Sequence, residues 1–345
     1  MGYPFEGLRS VSVSELRRLA PATDYKKSAI WIVWDDTEIF IAGICDLGTS
    51  WHRARMGLAY SYKVPSALII QMDRPGRIRV YQGAFAIGSL SDGELSASGV
   101  EMQLFMHSAV GAGLEKLFDE FSIPEFEAPR DFEGFWWIAL WNVFASIANS
   151  ISASGHGGML IIASDDQISS SAALRIKYPI KSDALRKSFV DFINARNATA
   201  DCWTRIELEH DGVSQDFKAE LALVEASDQL VEAIRLVAQF AGCDGAIVVT
   251  SDLRLVGFGV EIRAEMSNNC AVQEVTFEFG DNGKDCDMEQ FGMRHRSAIK
   301  LSSNLSDACI LVISQDGPIS GVWSKDGKVL VKKGVNLPNM NLPWS

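Results

Sequence analysis

The chain has 345 residues, with 44 acidic against 32 basic side chains and a formal net charge of −12. A balance this acidic argues against general nucleic-acid binding, which needs a basic face to displace counterions from phosphate. Hydrophobic residues make up 47%, enough at about 100 to 200 residues per domain for two globular domains with their own cores.

The six cysteines, at 45, 202, 243, 270, 286 and 309, show neither Cys-x-x-Cys nor Cys/His spacing. Zinc is therefore not expected, and reduced thiols fit a cytoplasmic protein. The opening Met1-Gly2-Tyr3-Pro4-Phe5-Glu6 has no basic stretch ahead of an apolar core, so no signal peptide is expected.

In chain order, residues 29–33 and 38–44 read as a hairpin, and 66–72 as a buried strand. Pro75-Gly76 turns the chain into a strand over 77–82. Residues 102–118 carry helical periodicity. The run 135–151, rich in Trp and Phe, is interrupted by Asn142, Ser146, Asn149 and Ser150 at spacings of three to four. A span needs about 20 apolar residues, so this is a buried helix and no membrane partner is expected. Trp136, Trp137 and Trp141 belong to a core or a domain interface. Gly155-His156-Gly157-Gly158 then turns into a strand over 159–163, with His156 a turn residue or a ligand contact. Residues 182–195 form an amphipathic helix capped by Ser182. No phosphate loop, dinucleotide fingerprint, metalloprotease motif or nucleophile elbow occurs in this half.

Downstream, Ser227 is placed to cap a helix whose apolar face is Leu230, Val231, Ile234, Val237, Ala238 and Ala241. That helix runs into Asp244-Gly245-Ala246 and the buried strand of Ile247, Val248 and Val249. Asp-Gly is a common turn dipeptide, but a helix running through it into a core strand is no hairpin. The arrangement puts Asp244 at the end of a sheet, where ligand sites gather.

Gly292-Met293-Arg294-His295-Arg296 opens the next helix, with Ser297 as a first-turn hydroxyl and an apolar-periodic run over 298–305. Arginines at a helix N-terminus, beside its unpaired amides, suit phosphate. A strand over 308–313 ends at Ser314-Gln315-Asp316-Gly317. The strand 319–323, the turn Lys325-Asp326-Gly327 and the strand 328–331 close the sheet.

Asp244-Gly245-Ala246, the stretch from Gly292 to Ala298, Leu301-Ser302, Ser306-Asp307-Ala308 and the strand ending in Ser314 together resemble the diadenylate cyclase domain, the nucleotide-binding domain of DisA-type proteins. The resemblance covers about residues 215 to 335. It implies a mixed sheet flanked by helices and the condensation of two ATP molecules to cyclic di-AMP with loss of pyrophosphate. Carried onto this chain, Asp244 and His295 hold a divalent cation, Mg2+ or Mn2+, beside the ribose 3′-hydroxyl, with Gly245 and Ala246 completing the catalytic motif. Arg294 and Arg296 cradle the triphosphate, and Ser297, Ser314 and Gln315 approach phosphate oxygens. Gly257 and Gly259 either line the base pocket or mark a bulge.

Three departures from the family pattern stand out: Met293 in place of a threonine, Gln315 in place of an acid, and a longer tract over 263–291 between the two motifs. The region ahead resembles the sensor regions that precede some diadenylate cyclase domains.

The sequence therefore predicts a mixed α/β protein. An N-terminal α+β sensor domain spans 1–212, a cyclase-like domain with a mixed, helix-flanked sheet spans 213–335, and a tail spans 336–345. The expected partners are ATP, cyclic di-AMP and a second copy of the chain, because closing a dinucleotide ring takes two nucleotides held antiparallel across a twofold axis. The alternative is a module of the same fold that binds ATP or the cyclic dinucleotide without turnover.

Overall fold

A computed structural model describes residues 2–24, 27–35, 37–48, 51, 67–83, 85–91, 94–97, 113–117, 119, 132–155, 157–209, 213–243, 245–267, 270–275, 283–315 and 319–335. Asp244, His156, Asp316, most of 102–118, the tail 336–345 and the side chains of Trp136 and Trp137 lie outside that description.

The N-terminal part contains two small antiparallel sheets. Strands β1 (Gly2–Ser10), β2 (Ser28–Trp34) and β3 (Ile39–Asp46) make the first, in the order β1-β3-β2, with helix α1 (Val13–Leu19) between β1 and β2. The expected hairpin is the β2–β3 pair. The second sheet is a meander of β4 (Leu68–Arg74), β5 (Arg77–Gln82), β6 (Phe85–Ser91) and β7 (Glu94–Ala97). Leu47, Trp51, Ile69 and Tyr81 form a small core against Ala29 and Cys45. The Trp51 indole donates to Gly83 O at 3.0 Å, which satisfies the polar handle of a buried ring.

The rest of the chain builds one nine-stranded mixed sheet, in the order β13-β12-β16-β15-β14-β8-β10-β11-β9. Its strands are β8 (Gly158–Ala163), β9 (Leu174–Ser182), β10 (Ala246–Thr250), β11 (Leu255–Ile262), β12 (Ala271–Glu274), β13 (Lys284–Asp285), β14 (Cys309–Ile313), β15 (Ile319–Lys325) and β16 (Lys328–Lys332). Period-two alternation divides the central strands between two cores. Leu160, Ile162, Ile247, Val249, Leu311 and Ile313 face helices α2 (Phe132–Ala153), α4 (Ala184–Glu209) and α5 (Val213–Gln239). Met159, Ile161, Val248, Ile310 and Val312 face helix α6 (Met293–Ser302), with Ile168 of the short α3 (Asp165–Ser170) in the same cluster. The turn between β15 and β16 has φ of 51° at Asp326 and 73° at Gly327. Both values are positive, as a two-residue primed hairpin turn requires.

Three expectations change. The boundary at 212/213 falls between α4 and α5, and it cuts through a single sheet, because β8 and β9 lie upstream of it and β10 pairs in parallel with β8. The Thr199 hydroxyl also donates to Ala219 O at 3.3 Å, linking α4 to α5. Ser227 is not a cap. It is buried in the middle of a 27-residue helix, since Leu223 and Ala226 extend the apolar face upstream and packing overrides its capping preference. Ser182 closes β9 two residues before α4, where its hydroxyl accepts from Ala184 N–H at 3.3 Å. Among the described residues no helix is long and apolar enough to cross a membrane. In α2, Asn142 and Ser146 are buried together with Trp141.

Candidate functional site

Strands β8 and β10 run in parallel, and β14 runs antiparallel to β8. The start of β8, the start of β10 and the finish of β14 therefore share one end of the sheet. Met159 N–H donates to Gly245 O at 2.6 Å, which locks the turn after Asp244 beside the turn before β8. Ile313 pairs with Gly158, so Ser314 and Gln315 leave the sheet next to Gly157.

Helix α6 points its N-terminus at the same place. A Cβ on Gly157 would lie 2.7 Å from Arg294 Nη1 and 3.0 Å from Gln315 N. Only a glycine lets that guanidinium rest against the loop. The residues that sequence patterning singled out at 245, 294, 314 and 315 are thus brought together, with Gly157 as an addition.

The other end of the sheet holds a buried charge cluster. Parallel α/β sheets ordinarily hold ligands at the carboxyl ends of their strands. Here that end carries Asp252, which is 1% exposed and lies 3.3 to 3.5 Å from Arg254, Lys116 and Arg186. Burial pushes the Asp252 carboxyl up, but a hydrogen bond from Thr250 and the charges of Arg254, Lys116 and Arg186 outweigh it and hold the group below the usual aspartate value. Gly113 packs directly on Ser251 O. The candidate site therefore lies at the amino end of β8 and β10.

Helix α6 begins after Gly292, which supplies no side-chain cap, and its first intrahelical bond runs from Arg296 N–H to Gly292 O at 3.0 Å. The amides of Met293, Arg294 and His295 precede that bond and are the ones a helix leaves for an anion. Met293 is 76% exposed at the first helical position. Arg294 makes no ion pair among the described residues.

Arg296 differs from Arg294: its Nη1 lies 2.6 Å from Glu289 Oε2. His295 is half-buried and stacks on Phe291 with ring centroids 6.0 Å apart. Burial, reinforced by the charge of Lys333, lowers its pKa and keeps the imidazole neutral near pH 7. Ser297 is the fifth helical residue, half-buried and one turn beyond the free amides, so it is not a first-turn hydroxyl.

Gly257 and Gly259 lie on β11 against β9, at and beside a register shift between Leu255 and Gly257. A Cβ on Gly259 would come within 2.9 Å of the Tyr178 ring. Close strand packing accounts for both glycines, as the bulge reading expects.

Among the described residues no three His, Cys, Asp or Glu side chains group to hold a metal ion. The carboxylate of Asp244 is the donor type a hard cation prefers, whereas the neutral His295 imidazole is packed on a ring.

Gly157 and Glu289 were missed as site residues by sequence reasoning. Gly157-Gly158 ahead of an apolar run does echo Asp244-Gly245 ahead of another, a signal that could have marked the first. Glu289, in an exposed tract, carries no such signal.

Gly157→Ala tests the Arg294 seat without touching a charge. The far end of Arg294 must move and Gln315 N, at 3.0 Å, must give slightly, so only a small drop in melting temperature is expected. Affinity for an anion held by Arg294 should fall about fivefold, the worth of roughly one well-placed hydrogen bond. Equal affinity by titration calorimetry would show that Arg294 does not need that seat.

Comparison of the chain with protein-family models, with curated proteins and with solved structures gives no match in any of the three.

Proposed function

We infer that the amino end of β8 and β10 binds ATP and that the protein is a diadenylate cyclase, joining two ATP molecules into cyclic di-AMP. The observation carrying this reading is the convergence of Arg294, Gly157, Gly245 and the Ser314–Gln315 exit at the mouth of α6. Residues 157, 245, 294 and 315 are far apart in the chain, and the place where they meet offers free amides and an arginine without a carboxylate partner among the described residues. Those groups suit a polyphosphate.

In the reaction, the ribose 3′-oxygen of one nucleotide forms a bond to the α-phosphorus of the other. The bond from that phosphorus to the bridging oxygen breaks, and pyrophosphate leaves. Repeating the step in the opposite sense closes the ring, so two copies of the chain must bring their sites face to face. Arg294 and the α6 amides stabilise charge on the phosphoryl oxygens, and Ser314 donates a hydrogen bond. Asp244 would hold Mg2+ or Mn2+, whose chemistry is to lower the pKa of the attacking hydroxyl.

The second reading, nucleotide binding without turnover, is favoured by the apolar Met293 at the first helical position and by Gln315 in place of an acid.

Incubating the purified protein with ATP and Mg2+ or Mn2+ and resolving the products by chromatography separates the two readings. The expected product is cyclic di-AMP, lost in Asp244→Asn because an amide is a poor ligand for a hard cation. ATP bound but unchanged would leave the binding module. Cyclic product from Asp244→Asn at the wild-type rate would remove Asp244 from the chemistry.

A further inference from the structure

The tract between β12 and α6 brings a carboxylate to Arg296, in the first turn of α6. After β13 the chain makes a short 3-10 turn, Met288–Gln290, in which the Asp287 side chain accepts from Glu289 N–H at 3.0 Å. On one side Cys286 N–H donates to Val272 O at 3.0 Å, and on the other Phe291 is buried to 5% exposure. Residues 286–291 are pinned at both ends, so Glu289 is presented from a fixed place. Its Oε2 meets Arg296 Nη1 at 2.6 Å, the short distance of a charge-assisted hydrogen bond.

A second cation near the same helix mouth is treated alike. Lys333 sits 4.8 Å over the Phe291 ring and pairs with Glu274 of β12 at 2.9 Å. Two positive side chains around α6 are therefore neutralised by carboxylates from one stretch of chain, Ala271–Gln290. Arg294 is left without an ion pair among the described residues.

We propose that Glu289 is an internal competitor for the anion site, occupying Arg296 until a polyphosphate displaces it. The inference rests on the reading of the α6 mouth as a nucleotide site. A ligand with a single phosphate can use Arg294 and the amides and leave the Glu289–Arg296 pair intact. A triphosphate reaching Arg296 must break that pair, so Glu289 sets the concentration of ATP at which the site fills. The pair is partly exposed, with side chains 67% and 36% accessible. Its effect is correspondingly modest, and opening it requires rotation of the Glu289 side chain with no rearrangement of the fold.

The test is a double-mutant cycle read by titration calorimetry with α,β-methylene-ATP and Mg2+, a probe whose modified bridge prevents loss of pyrophosphate. Glu289→Gln should bind the analogue about two- to fivefold more tightly than wild type, the range expected for releasing an exposed ion pair. In the Arg296→Ala background the same change should have no effect, because there is no guanidinium left to release.

An equal gain in that background would overturn the proposal, since it would report only a weaker negative field around the mouth. Unchanged affinity in Glu289→Gln, with the analogue still bound, would overturn it and leave the nucleotide reading standing. No binding by wild type or by either variant would overturn both.

Discussion

On the proposed nucleotide reading, replacing Arg294 by alanine is expected to weaken ATP binding by about 1.5 to 3 kcal/mol, roughly tenfold to a hundredfold, and to suppress turnover with it. The guanidinium is the one cation at this end of the sheet with no ion pair among the described residues, so no pair among them has to be broken before it meets a phosphate. It is also held in place, resting against Gly157 beside Gln315 N. A lysine there should recover little, because it offers a point charge where the site presents a planar fork. Arg294 is exposed and outside both cores, so the melting temperature should not move. Calorimetric titration of Arg294→Ala with ATP and Mg2+ checks this, and wild-type affinity would remove the residue from the site.

The largest stability effect is expected at the opposite end of the sheet. Asp252→Asn should lower the free energy of unfolding by about 3 kcal/mol, the scale for removing one partner of a buried ion pair. Of the three cations on Asp252, Lys116 and Arg254 have side chains 46% and 29% exposed and can turn to water. Arg186, at 3%, cannot.

The same carboxylate makes stability depend on pH. Its pKa is lower in the folded chain than in the unfolded one, so the unfolded state takes up the proton first. The stabilisation is complete above the ordinary aspartate value of about 3.9 and is lost as pH falls through the depressed folded value. Urea unfolding of wild type and Asp252→Asn at pH 7 and at pH 3 measures both effects. The gap between the two proteins should narrow at the lower pH. Equal midpoints at pH 7 would mean that Arg186 is satisfied without Asp252.

Local pattern was enough to find most of the elements of the sheet. The alternating or continuous apolar runs over 159–163, 247–249 and 308–313, the turn at Asp326-Gly327 and the start of a helix after Gly292 all appear where the sequence places them. Such features depend on backbone sterics and on which side of a strand or helix meets water, and both are settled within a few residues. The same economy explains the two arginines, since a helix N-terminus is legible in sequence and so are the cations placed on it.

Partner choice is different, because several strands of this chain have equally apolar runs and nothing local says which will lie side by side. Only the tertiary structure put β8 between β14 and β10, so that a sheet expected to begin after residue 212 begins at Gly158. Gly157 became a site residue by the same event, since its meaning lies in the guanidinium packed on it from residue 294. Arg294 and Arg296 are two residues apart and look equivalent in sequence, yet Glu289 claims only the second. Asp252 reads as an ordinary turn acid until residues 116, 186 and 254 surround it. Apart from the Glu289–Arg296 pair, which spans only seven residues, these outcomes depend on contacts across many residues of chain, which form only when burying both cores repays the loop entropy of closing them.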